Sequence, residues 1–171
     1  MRLYIHPIPV RIWHWTNALG FVLMILSGMQ IRYVGLIDVV SFRTAVHVHN
    51  FVGFVLIVWG YGVARRTPTV LWVPPVGARH LTALLVAIAF VLIVAAYIPG
   101  NRIKRAIGHP MLAGVAVWSL GHLLANGTLN AVVLFGAFLV WGAVGAIVWR
   151  RRDQLAGVQY PVGTLSGDMR V

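Results

Sequence analysis

Five stretches of this chain run for roughly the thickness of a lipid bilayer without an Asp, Glu, Lys or Arg: residues 12–31, 44–64, 80–98, 109–127 and 129–149. About 20 apolar residues cross the hydrocarbon core as a helix. The expected fold class is therefore all-α, an integral membrane helical bundle of about five transmembrane helices. Composition agrees, because 60% of residues are hydrophobic and 10% charged, too few to cover a water-facing surface. The net charge of +11 comes from small basic groups placed between the apolar runs, as in loops that anchor membrane helices, so nucleic acid is not an expected partner. The lipid bilayer is.

The breaks between the runs carry their own chemistry. Residues 33–43 form a short loop. Residues 65–79 hold three prolines and a glycine and read as an interfacial loop with Trp72 at headgroup level. Pro99-Gly100 ends the third helix, and the NRIKR group after it is a tight basic turn. Pro110 suits the first position of the fourth helix, with His109 as its cap. Asn126-Gly127 ends that helix, and the turn after it is short enough to make the fourth and fifth helices antiparallel neighbours. Residues 153–171 read as a flexible polar tail. With five spans, nine of the 14 Lys/Arg fall on the face bearing the 101–105 turn and the tail, which places that face in the cytoplasm. The expected location is the bacterial inner membrane.

Function is constrained by which polar groups enter the spans. The chain has no cysteine, which removes disulfides, thiolate-held clusters and cysteine nucleophiles. Its three acids, Asp38, Asp153 and Asp168, lie outside the apolar runs, so paired-carboxylate catalysis is not expected. Histidine remains. An ionisable residue inside a membrane marks a site by default, and seven histidines sort by depth. His14 and His122 fall near one face, His49 and His109 near the other. His109 and His122 are 13 residues apart, about 20 Å along a helix and roughly 140° around it, so they cannot share one metal. Two imidazoles from facing helices suit a haem iron. Gly20, Gly53, Gly114 and Gly121 would make room for the porphyrin, and Trp13, Trp15, Phe51 and Trp118 would line it. The plainer alternative for each histidine is a hydrogen bond to a neighbouring helix, and for His109 a helix cap. His47, His6 and His80 read as facing elsewhere or as solvated.

Two resemblances cover different parts of the chain. Residues 6–61, through HPIPVRIWHWTNALGFVLMILSGMQI and FRTAVHVHNFVGF, resemble membrane cytochrome b subunits of the formate dehydrogenase and thiosulfate reductase type. That resemblance implies His14 and His49 as haem b ligands and quinone as a further ligand. Residues 68–153, through PTVLWVPPVGARHLTALL, the run from AYIPGNRIKRAIGHP to HLLANG, and RRRD, resemble the NnrU family, related to the 15-cis-zeta-carotene isomerases. It implies His122 as a haem ligand, with His109 at the HP position. The chain thus reads as a fusion joined near residues 62–67: a cytochrome b-like helical pair (1–64), the interfacial loop (65–79), an NnrU-like three-helix segment (80–152) and the tail. His14 would stand in for the lost partner of His122.

The functional expectation is a membrane haem b protein with one or two haems, metal-bound through His14, His49 and His122 with His109 a further candidate. It would pass electrons from a quinol in the quinone pool to a redox partner subunit, rather than act as an independent catalyst. The alternatives are an NnrU-like protein of nitrogen-oxide metabolism, a haem-dependent polyene isomerase, or a structural membrane protein without haem.

Overall fold

A computed structural model describes residues 8–171; Arg2 and His6 lie outside the described residues. The fold is all helical, with α1 (Ile8–Arg32), α2 (Phe42–Ala64), α3 (Ala78–Tyr97), α4 (Arg102–Ile107), α5 (Pro110–Ala125), α6 (Leu129–Leu155) and α7 (Leu165–Asp168). Four of these, α1, α2, α3 and α6, are long and apolar enough to cross a membrane. Their large side chains point outward: Phe51 and Phe54 on α2 are 70% and 67% exposed, and Ala45 is the only buried residue of that helix. Helices apolar all round and this uncovered belong in lipid. The protein is an integral membrane protein.

The fourth expected span is shorter than its sequence run. Pro110 starts α5 and Asn126 closes it, leaving 16 residues. At 1.5 Å each these cover about 24 Å against a core of about 30 Å. Its neighbour α6 is correspondingly long at 27 residues and carries Arg150 to Asp153 within the helix.

The chain divides into two compact units, one ending at Arg66 and the other Thr67–Val171. In the first, α1 packs on α2. Ser41 caps α2 by accepting from the Thr44 backbone N–H at 3.2 Å. In the second, α5 lies between α3 and α6 and packs on both. Small residues allow these approaches, as expected where lipid supplies no hydrophobic drive between helices. At Gly142 on α6 a Cβ would stand 2.8 Å from the Leu112 carbonyl oxygen and 2.9 Å from the Ala116 nitrogen, so the α5 and α6 backbones touch there.

The loop before α3 is tied to the α5–α6 turn. Leu71 N–H donates to the Gly127 carbonyl at 2.7 Å and Leu129 N–H to the Thr69 carbonyl at 2.9 Å. The basic turn after α3 is organised by Asn101, which is 2% exposed. Its amide donates to the Ala95 carbonyl at 2.8 Å while its oxygen caps α4 at Lys104 N–H, 2.7 Å.

The terminal segment departs from the flexible tail expected for 153–171. Thr164 N–H donates to the Gly100 carbonyl at 2.8 Å, and Asp168 accepts from Arg102 N–H at 2.6 Å and lies 3.5 Å from its guanidinium. The segment therefore returns to the α3–α4 connection and folds into α7. Its polar composition was misleading because the partners it binds are themselves the polar groups of a loop.

Candidate functional site

In the first unit, His49 is half-buried on α2 and meets Ser27 of α1, with Nδ1 3.1 Å from Oγ. The Ser27 hydroxyl already donates along α1 to the Leu23 carbonyl. Its oxygen therefore accepts, and His49 Nδ1 carries the proton. That leaves Nε2 with no protein partner among the described residues. A histidine whose second nitrogen is oriented in this way has the form of a metal ligand. Gly28 makes room for the ring: a Cβ there would sit 3.2 Å from His49 Cε1.

His14 is exposed on the first turns of α1, beside a small cavity of about 260 Å³ that it shares with Arg11, Trp13 and Trp15. Ser27, level with His49, is 13 residues further along α1, about 20 Å in depth. The first unit thus keeps its two candidate histidines at separate levels. His47 is exposed.

In the second unit, His122 lies in the last turn of α5. Its ring stacks on Phe135 of α6 at 4.6 Å and 8°, and meets Trp118 edge-on at 4.8 Å. Asn126 donates to the His122 carbonyl at 2.8 Å and ends the helix, the turn role expected of it. No hydrogen bond engages the His122 ring among the described residues.

The glycines expected to open a porphyrin slot are instead filled by neighbouring helices. A Cβ on Gly20 would meet Leu56 at 3.3 Å, on Gly53 Met24 at 3.2 Å, on Gly114 Ile93 at 2.8 Å, and on Gly121 Leu85 at 3.3 Å. Small residues in these helices serve close packing, and Phe51, expected as lining, faces outward.

His109 has a different setting. It caps α5, but its side chain makes no capping bond. Its Nε2 lies 2.9 Å from Oδ2 of Asp153, a residue 6% exposed at the end of α6. An ionised carboxylate only accepts, so His109 Nε2 donates to it. Tyr160 donates to the same oxygen at 2.7 Å, and Arg152 reaches Oδ1 at 3.1 Å. The bond to Asp153 holds the Tyr160 phenol above its usual pKa, with desolvation adding to the rise. Gly108, at φ 82°, faces this group: a Cβ there would stand 2.9 Å from the Tyr160 hydroxyl. The sequence reading missed Asp153, Tyr160 and Ser27. One signal was present for Asp153. It is a lone acid directly after three arginines, where a carboxylate will find several donors.

The sequence model described as "NnrU protein" matches residues 21–171. The chain belongs to the NnrU family. That match runs through both units and across the 62–67 join, so NnrU likeness is not confined to residues 68–153. His49, His109, His122, Asp153 and Tyr160 lie within it; His14 precedes it.

This NnrU protein is also similar to a curated protein of Escherichia coli (strain K12) named "Putative cytochrome YdhU", at 38% identity over 56 residues. The match covers 33% of the chain and 21% of that relative, so the chain spans about a fifth of the relative's length. No solved structure matches.

Proposed function

We propose that this NnrU-family membrane protein holds haem b and passes electrons, with a quinol as donor and a membrane redox subunit as acceptor. The observation that carries the reading is the Ser27–His49 pair, in which the serine orients the ring through Nδ1 and Nε2 has no protein partner among the described residues. Support also comes from the name of the partial relative, a cytochrome, and from the resemblance of residues 6–61 to cytochrome b subunits. His49 and His122 are the ligands we assign first, His14 the next. Neither unit by itself brings two of these imidazoles to one level.

Bound haem b would supply a one-electron couple. The chain's own residues contribute orientation and exclusion of water. Ser27 holds the His49 ring, and Phe135 with Trp118 shields His122 on two sides. His109 stands apart in this scheme as a member of the cluster that Asp153, Tyr160 and Arg152 form at the end of α6. The bacterial inner membrane, with the 101–105 turn and the C-terminal segment in the cytoplasm, is the location that fits the distribution of Lys and Arg.

The test is a reduced-minus-oxidised spectrum of the purified protein and of the His49→Ala and His122→Ala variants. A b-type spectrum that both substitutions diminish is expected. An unchanged spectrum in both variants refutes the assignment. A change of ligand field in the reduced spectrum would favour the NnrU-related isomerase reading instead.

A further inference from the structure

A cavity of about 590 Å³ lies wholly within the second unit, where α3, α4, α5 and α6 meet. Its size is in the range of small-molecule sites, and its lining is graded. Arg152 and Lys104 stand at one end. Trp149 follows on α6, and Trp141 is 11 residues from Arg152, about 16 Å down the helix toward the apolar interior. Met111 and Leu112 of α5 complete the apolar wall. Both tryptophans are open to the surroundings, at 43% and 55% exposure, so the cavity can be entered sideways from lipid.

The charged end is built and only partly satisfied. Arg152 is held by Asp153 at 3.1 and 3.3 Å, and its guanidinium carbon stands 3.8 Å over the Trp149 ring. Lys104 Nζ donates to the Ala96 carbonyl at 3.1 Å. An ammonium has three protons to give and a guanidinium five, so both keep donors for a ligand. The nearby acid does not: both Asp153 oxygens are already answered, by His109, Tyr160 and Arg152. The rim therefore offers two cations and no free carboxylate. A zwitterionic head would leave its own cation unpaired, and a neutral head would leave the two cations unanswered.

We propose that this cavity binds an acidic phospholipid, its phosphate between Lys104 and Arg152 and one acyl chain against Trp149 and Trp141. Basic pockets between membrane helices take such head groups. The site is independent of any haem in the protein. Its consequence would be to seat the short α5 where the span is thinnest, with lipid filling the space beside it.

The experiment is native mass spectrometry of the full-length protein titrated with phosphatidylglycerol and phosphatidylcholine of identical chains. The wild type should retain phosphatidylglycerol about 25-fold better, and Lys104→Gln should cut that preference about fivefold, since each of the two basic residues contributes about that factor. Lys104→Gln leaves the Asp153 cluster intact, and Arg66→Gln, in the other unit, should change nothing. A second readout needs no folding-sensitive variant: phosphatidylglycerol brominated on its chain should quench wild-type tryptophan fluorescence more than brominated phosphatidylcholine does. Equal retention and equal quenching of the two lipids overturn the proposal. So does displacement of the lipid by millimolar inorganic phosphate, which would mark a site for the free anion.

Discussion

Two glycines on α6 should respond in opposite directions to the same substitution. At Gly142, a Cβ would lie 2.8 Å from the Leu112 oxygen and 2.9 Å from the Ala116 nitrogen, both backbone atoms that no rotamer change can move. Ordinary contacts are ~3.5–4 Å, so Gly142→Ala should force α5 and α6 apart by about 1 Å. Overpacking of this kind costs ~1–3 kcal/mol. The better helix propensity of alanine returns ~0.5–1 kcal/mol, for a net loss of up to about 2.5 kcal/mol. At Gly136, six residues earlier, a Cβ would meet nothing within 4 Å. Gly136→Ala should therefore gain about 0.5–1 kcal/mol. The difference between the two variants cancels the propensity contribution and isolates the steric cost. Reversible unfolding by SDS titration in mixed micelles, followed by circular dichroism, measures both. Equal shifts of the same sign would refute the close α5–α6 seam on which the placement of His122 against Phe135 rests.

The docked C-terminal segment gives further expectations. Asp153→Asn should release it, read as faster proteolysis within residues 156–171 while α6 stays protected. The raised Tyr160 pKa carries a pH dependence: the folded state favours the protonated phenol, so its contribution is complete below the ordinary phenol range near ~10 and is lost as pH rises through the folded value. Alkaline titration of segment release should show that loss, and Tyr160→Phe should abolish its pH dependence. Ser27→Ala should lower haem retention by about 10–100-fold, the usual effect of losing the group that orients a metal-binding histidine, measured by haem titration of the apoprotein.

The spans were legible because lipid imposes a simple demand: about 20 apolar residues, with backbone groups satisfied within the helix. Helix boundaries at Pro110 and Asn126 followed from local backbone chemistry. The spacing of His109 and His122 along one helix followed from helix rise alone. What the sequence left hidden depends on contacts between distant segments. Gly114 and Gly121 read as room for a porphyrin, whereas Ile93 and Leu85 of α3 occupy the space beside them. Tyr160 lies in a polar stretch with no periodic pattern, and its role depends on the chain turning back toward Asp153. His109 was weighed as an iron ligand or a plain cap, whereas its ring nitrogen is bound to a carboxylate 44 residues away. The length of α6 was also underestimated, because the three arginines that end the apolar run do not end the helix.

The central claim is that this NnrU-family protein holds haem b through histidines that include His49 and His122. Its most direct test is the haem content per chain, by pyridine haemochromogen assay on protein purified from haem-supplied cells. The account predicts one or two haems b per chain, with a loss of at least one in the His49→Ala, His122→Ala double variant. A colourless wild-type protein, or full haem content in the double variant, would contradict it.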